Sequence, residues 1–283
     1  MAYTLTYKLI NNDTEYSVAG YTGEPIDVVI PKEYNALPVT TIGYRAFYKC
    51  SSLTEIVIPD SVTSIGDDAF HGCGSLTEIV IPDGVTRIES RTFENCSNLT
   101  KIVIPDSITR IGTAAFGNCD SLTSIAIPEG VTSIGRSAFE NCDSLTSVVI
   151  GDSVTSIDEY AFGGCSKLTK VTLLAKTPAS LLSTNTFSSK PIFYCFSEAI
   201  EAYKTTTNWN VFANNFVADD MRLYFTMSST AQKKYFVSKE DVTILEQNMQ
   251  TYIQQYIRDN FATLMAEYLN SAEATDNKPT TNI

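Results

Sequence analysis

The chain has 283 residues, 43% of them hydrophobic and 18% charged, and a formal net charge of −12. This balance argues against wholesale disorder, and an acidic chain without a basic cluster is poorly suited to nucleic acid or anionic lipid. No stretch reaches the ~18 apolar residues of a membrane span, and no basic run followed by an apolar one opens the chain.

Tyr3, Leu5 and Tyr7 alternate on one side of a first strand, and Tyr16, Val18 and Tyr21 follow after the Asn11-Asn12-Asp13-Thr14 turn. This reads as a hairpin over residues 1–30 that caps whatever comes next, since an uncovered sheet end invites pairing. From Pro31 to Ile42 there are 42 − 31 = 11 residues, where the corresponding step from Pro59 to Ile65 takes 65 − 59 = 6. A loop containing Glu33, Tyr34 and Asn35 is expected to bulge there.

Phe47, Phe70, Phe93, Phe116, Phe139 and Phe162 recur with a period of 70 − 47 = 23 residues. Each is followed three residues later by a cysteine: Cys50, Cys73, Cys96, Cys119, Cys142 and Cys165. A fixed period of this size means a stacked solenoid, in which no unit buries its apolar face alone. Within one unit, Leu76, Ile79 and Ile81 alternate as a strand, Pro82 ends it and Asp83-Gly84 turns the chain. Val85 and Ile88 form a second short run. Ala69, Phe70 and Cys73 carry helical or 3₁₀ spacing. Gly66, Gly112 and Gly135 follow the second run, where a left-handed backbone is expected. Six rungs at ~4.8 Å give a core roughly 29 Å long.

The string Leu-x-x-Ile-x-Ile-Pro-x-x-Val-x-x-Ile-x-x-x-Ala-Phe-x-x-Cys resembles the BspA-like leucine-rich repeat over about residues 1–217. Thr177-Pro178, Phe187, Ala202-Tyr203-Lys204 and Trp209 are similar to that family's last, capping repeat. The resemblance implies a mainly β leucine-rich-repeat solenoid over residues 31–217. It also implies a surface or secreted protein that binds host or matrix macromolecules without catalytic residues in the repeats.

Residues 218–283 fall outside the pattern. Met221–Met227 is expected to be a strand, and Ser238 with Asp241 makes an N-cap for a long helix. Apolar residues then recur at Val242, Leu245, Met249, Ile253, Ile257, Phe261, Leu264 and Tyr268. That is 268 − 242 = 26 residues in seven steps, the spacing of one helix side. The helix would be ~45 Å long. It would dock on the solenoid, self-associate through residues 238–270 or bind a partner, and the polar tail after it reads as disordered.

Candidate chemistry is sparse. The single histidine, His71, has Glu94, Gly117, Glu140 and Gly163 as its counterparts in later units, so an exposed, variable position is expected, and His-based triads, zinc deaminase sites and His-Glu-x-x-His metalloprotease sites are excluded. The cysteine ladder is expected to be free buried thiols, with a disulfide or a metal as alternatives; the seventh cysteine, Cys195, makes the count odd. Asp60, Asp83, Asp106, Glu129 and Asp152 form an acidic column that either caps turns or holds calcium. Sequons at Asn12, Asn95 and Asn98 matter only on a secretory route.

The strand positions that point away from the core are more informative. One column reads Val57, Val80, Val103, Ala126, Val149 and Thr172. Beside it run Glu55, Glu78, Lys101, Ser124, Ser147 and Lys170, then an outer row of Thr54, Thr77, Thr100, Thr123, Thr146 and Thr169. An exposed apolar stripe flanked by mixed charge suits a protein-binding surface, although valine is also simply a good strand former.

The expectation is a non-enzymatic recognition or adhesion module, with no cofactor, nucleic-acid partner or membrane span. It would bind a protein or surface macromolecule through that face. The alternative is a structural component of a larger assembly, such as a virion-associated fibre or decoration protein, joined through the C-terminal helix. Without a signal peptide the chain is cytoplasmic or virion-associated, or else at the cell surface after processing or export.

Overall fold

The computed structural model describes residues 3–219, 226–228 and 234–236. The chain divides into two units, Met1–Asp220 and Met221–Ile283. In the second, the described strands Thr226–Ser228 and Lys234–Phe236 pair antiparallel. Of the expected strand, only Thr226 and Met227 fall on described residues. The expected helix from Val242 to Tyr268 lies outside them.

The first unit is a three-sided solenoid preceded by a hairpin. Strands β1 (Thr4–Ile10) and β2 (Glu15–Thr22) pair antiparallel, and Asn11, Asn12 and Asp13 turn between them with φ of 51°, 57° and 63°. β2 then pairs in parallel with β5 (Leu37–Ile42), which places the hairpin against the first rung. Tyr21 stacks on Phe47 at 5.8 Å, so the hairpin supplies the ring that ends the phenylalanine column.

One side of the solenoid is built from parallel strands that begin at β3 (Asp27–Val29) and continue through Glu55–Val57, Glu78–Val80 and Lys101–Val103. Ser124–Ile127, Ser147–Ile150, Lys170–Leu173, Ile192–Cys195 and Phe216–Ala218 complete it. The second side is a ladder of two-residue strands, among them Arg87–Ile88, Arg110–Ile111, Ser133–Ile134 and Ser156–Ile157, also in parallel register. Alternation within each strand buries Ile79, Ile81 and Ile88 and leaves Glu78, Val80 and Arg87 outside.

The third side carries no regular strand, yet its backbone is as repetitive as the other two. Two positions per unit are left-handed: two residues before each phenylalanine (Arg45, Asp68, Arg91, Ala114, Ser137, Tyr160) and two after it (Lys49, Gly72, Asn95, Asn118, Asn141, Gly164). With that alternation three N–H groups point at the next rung. Arg91 donates to the carbonyl of Thr113 at 2.9 Å, Phe93 to Ala115 at 2.8 Å and Asn95 to Gly117 at 2.8 Å. Left-handed backbone at a non-glycine residue costs about 1 kcal/mol, which these inter-rung bonds offset.

Gly66, Gly112 and Gly135 are not left-handed, contrary to expectation. They are small because the rungs approach there. A Cβ would stand 2.8 Å from the Tyr44 nitrogen at Gly66, and 2.7 Å from the Glu89 carbonyl carbon at Gly112.

The core is one continuous column. Phe47, Phe70, Phe93, Phe116, Phe139, Phe162 and Phe187 stack in sequence with ring centroids 5.0–5.6 Å apart. It closes in a cluster of Phe193, Tyr203, Trp209, Phe212 and Phe216, held by the short helix α1 (Ile200–Thr205). Two polar tips anchor that cap: Trp209 Nε1 donates to the Ala179 carbonyl at 2.7 Å and Tyr203 Oη to the Ala175 carbonyl at 3.1 Å.

Candidate binding face

The strand side presents two columns to the outside, because residues two apart on a strand share a side of the sheet. The register aligns Asp27 with Glu55 and Val29 with Val57, then Glu78 with Lys101 and Val80 with Val103. Farther along, Ser124, Ser147 and Lys170 align, as do Ala126, Val149 and Thr172. The sequence columns are therefore real neighbours in space.

Their exposure differs sharply along the axis. Val29, Val57, Val80 and Val103 are 64%, 49%, 67% and 58% exposed, and Ala126 is exposed too. Val149 is half-buried. Thr172 is 2% exposed, which removes it from the expected surface. In register it lies between Val149 and the bulky Tyr194, with the Lys170 ammonium 5.6 Å from the centre of the Tyr194 ring. The open apolar stripe thus runs from Val29 to Ala126. Its first member was missed by the column count, although Asp27-Val28-Val29-Ile30-Pro31 repeats the Glu55–Pro59 pattern.

In the flanking column Glu55 and Glu78 are exposed, while Lys101, Ser124, Ser147 and Lys170 are half-buried. Asp27 Oδ1 accepts from the Thr54 hydroxyl at 2.8 Å. The outer threonines are exposed, but several of their hydroxyls are committed to the ladder. Thr100, Thr146 and Thr169 donate to the carbonyls of Thr77, Thr123 and Thr146 at 3.2, 3.0 and 3.4 Å.

The loop expected at Glu33–Asn35 is a tight hairpin: β4 (Glu33–Tyr34) pairs antiparallel with Leu37 and Pro38. Tyr34 stacks on Tyr7 at 4.0 Å and meets Tyr16 edge-on at 5.0 Å, so its ring belongs to the cap.

His71 is also corrected, since its side chain is only 15% exposed. It stacks on Tyr48 at 5.0 Å, and its Nδ1 lies 3.1 Å from a Glu94 oxygen and 3.8 Å from Asp68 Oδ1. Asp68 is the one carboxylate in the buried set of the described residues. Arg91 grips it with Nε at 2.9 Å and a terminal nitrogen at 3.1 Å, and Arg45 Nε lies at 3.4 Å. The hydrogen bonds from Arg91 hold its carboxyl below the usual range, against the opposing effect of burial.

All seven cysteines are free and buried. The thiols of Cys73, Cys96, Cys119, Cys142 and Cys165 each donate to the phenylalanine carbonyl of the preceding rung, as Cys73 does to Phe47 at 3.2 Å and Cys165 to Phe139 at 3.1 Å, while Cys50 faces the Pro25 carbonyl at 3.9 Å. Burial pushes the Cys96 thiol up to about 12. A protonated thiol tied to a carbonyl is neither nucleophile nor metal ligand. In the acidic column, the turns close through the backbone, as Val85 N to the Pro82 carbonyl at 3.0 Å, and Asp60 lies 3.7 Å from Lys32. Among the described residues no group of three acidic, histidine or cysteine side chains is placed to hold a metal, and no helix is long and apolar enough to cross a membrane.

A leucine-rich repeat protein of T. pallidum is 35% identical over 60% of this chain and 82% of its own length, with a TM-score of 0.57. One from Bacteroides ovatus is 34% identical over 68% of this chain and 53% of its own, with a TM-score of 0.61. A leucine rich cell surface protein of Faecalibacterium prausnitzii is 30% identical over 83% of this chain and 57% of its own, at a TM-score of 0.52. The chain therefore corresponds to little more than half of either of the last two. No curated protein matches it. The profile of the BspA type leucine rich repeat region matches six copies over residues 40–169 and 91–215. With more than half its length in these repeats, a class of protein-interaction modules, the chain belongs to the BspA type leucine-rich repeat family.

Proposed function

We propose that the chain is a non-enzymatic recognition and adhesion module that binds a protein or surface macromolecule through the strand face of the solenoid. The observation that carries this reading is the open stripe from Val29 to Val103, four consecutive rungs with their valines about half or more exposed. A contiguous apolar stripe with charged flanks is the surface a soluble protein keeps for a partner. The rungs hold it rigid, so little ordering entropy is lost on contact. The surface location of the F. prausnitzii relative supports a place at the cell surface for this chain as well.

The test measures binding of the intact chain to immobilised cell-surface and matrix proteins, with and without the triple change Val57→Asp, Val80→Asp and Val103→Asp. These side chains are about half or more exposed, so the variant stays folded, with a melting temperature lowered by the stacked like charges, and loses binding at temperatures well below it. Retained binding would assign recognition to another side of the solenoid.

A further inference from the structure

The open part of the strand face has a composition that narrows its partner, provided that this face is the binding face as proposed above. Over three rungs each exposed valine is paired, two residues earlier on the same strand, with a carboxylate: Asp27 with Val29, Glu55 with Val57, Glu78 with Val80. On the fourth rung the sign reverses, and Lys101 stands beside Val103. Asp27 and Glu55 are direct register partners, an arrangement of like charges that disfavours the sheet. Among the described residues no ion pair engages Glu55, Glu78 or Lys101. The apolar stripe is therefore flanked by three carboxylates and one ammonium, a net charge of −3 + 1 = −2, in which only Glu78 has an opposite charge, Lys101, as its register partner.

The spacing selects the conformation of what would cover it. Rungs repeat every ~4.8 Å, and a helix turn advances 5.4 Å. Over three steps a helix along the solenoid axis drifts by only about 2 Å from the rungs. An extended chain repeats its side every ~6.7 Å and drifts by about 6 Å over the same three steps. A helix can thus place one apolar and one flanking side chain on each rung, and a strand cannot.

We propose that the Asp27–Glu55–Glu78 and Val29–Val57–Val80–Val103 columns seat a basic amphipathic α-helix of a partner protein. It lies along the solenoid axis with one basic residue per turn over the carboxylates and an acidic residue over Lys101. Charge complementarity carries the choice of occupant. The chain's own segment 238–270 is a poor candidate by the same criterion. It holds Lys239 and Arg258 against Glu240, Asp241, Glu246, Asp259 and Glu267.

The test uses the full chain and stapled helical peptides of about five turns, read by fluorescence anisotropy at low salt. One peptide carries a leucine per turn and, on the neighbouring flank, lysine in three successive turns and glutamate in the next; a second has glutamate for each lysine, and a third is the free segment 238–270. The lysine peptide is expected to bind about tenfold tighter than the glutamate peptide, the summed effect of three exposed ion pairs, and to weaken with salt. The double variant Glu55→Lys, Glu78→Lys inverts that order, and Val57→Asp with Val80→Asp abolishes binding of both peptides. Equal affinity for the two charged peptides, or tighter binding of the 238–270 segment, overturns the proposal. Should the valine changes abolish binding of a surface protein while the charge changes leave it intact, the face remains the binding face and only the basic helix is rejected. Should the valine changes affect nothing, the face itself is rejected.

Discussion

The Cys96 thiol donates to the carbonyl oxygen of Phe70 at 3.2 Å, and that same carbonyl accepts the Cys73 N–H at 3.1 Å. One rung on, Cys119 and Phe93 repeat the bond at 3.3 Å. Cys73, Cys96, Cys119 and Cys142 thus each fill the second acceptor site of a phenylalanine carbonyl that already accepts the cysteine N–H of its own unit. Serine would make the bond with a stronger dipole but a smaller, more polar body; alanine would fill less of the corner and leave that site empty.

Cys96→Ala should therefore destabilise by about 1 kcal/mol, seen as a lower urea midpoint without a change in slope. Reducing agents should leave the wild-type midpoint unchanged, because no disulfide joins the rungs. In the native state the ladder thiols should resist alkylation, and denaturation should release them.

The raised thiol pKa gives a second expectation, in alkali. In the folded chain Cys96 is pushed from 9.0 up to about 12, so the unfolded chain ionises first. The stability this contributes is complete below about pH 9 and is lost progressively as pH climbs towards about 12. Burial acts in the same direction at Cys73 and Cys119, and at Cys142 a hydrogen bond with the Cys165 side chain does so ahead of burial. Urea midpoints measured from pH 8 upwards should fall steeply, and Cys96→Ala should flatten the fall. A pH-independent midpoint through this range would contradict the buried, neutral ladder.

Asp68 and Arg91 behave in the opposite sense. Asp68 is buried, and its carboxyl is held low chiefly by the hydrogen bonds from Arg91. Its contribution is present above the usual carboxylate range near pH 4 and is lost as pH falls through the lowered value. Arg91→Ala leaves a buried carboxylate with the 3.4 Å contact to Arg45 and the 3.8 Å approach of His71 Nδ1. Because Arg91 is itself half exposed, the loss should be about 2–3 kcal/mol, below that of a fully buried pair. Adding Asp68→Asn should recover part of it, since asparagine keeps the left-handed turn at φ 56° without the charge. A double-mutant cycle with no coupling would refute this reading.

Much of this arrangement was legible beforehand, and the exceptions share a cause. Phe93, Cys96 and Leu99 announced the core because apolar identity at a fixed period survives in the letters. Asn95, Asn118 and Asn141, with Gly72 and Gly164 in the same place, carried a left-handed signal that went unread, while Gly66, Gly112 and Gly135 suggested one that does not exist. Glycine answers both to a backbone angle and to a neighbour 2.7 Å away, and only the stacking distance separates the two. Thr172 and His71 were misplaced for a related reason. Each faces a tyrosine of a neighbouring rung, Thr172 in register with Tyr194 and His71 stacked on Tyr48, which its own unit does not reveal.

The continuity of the phenylalanine column leads to a last prediction, on cooperativity. Phe116 lies between Phe93 at 5.3 Å and Phe139 at 5.0 Å, and in a solenoid each rung is stabilised only by its neighbours. Phe116→Ala should cost about 3–5 kcal/mol and break both stacking contacts at once. Trp209, the sole tryptophan, is fully buried in the C-terminal cap, so its emission reports that end alone. In the wild-type chain its urea transition should coincide with that of the whole first unit followed by circular dichroism. In Phe116→Ala the two should separate, and hydrogen exchange should show faster opening on both sides of the missing ring. Coincident transitions in the variant would mean that the strand ladders, which continue through Ser124–Ser147 and Arg110–Ser133, couple the rungs without help from the rings.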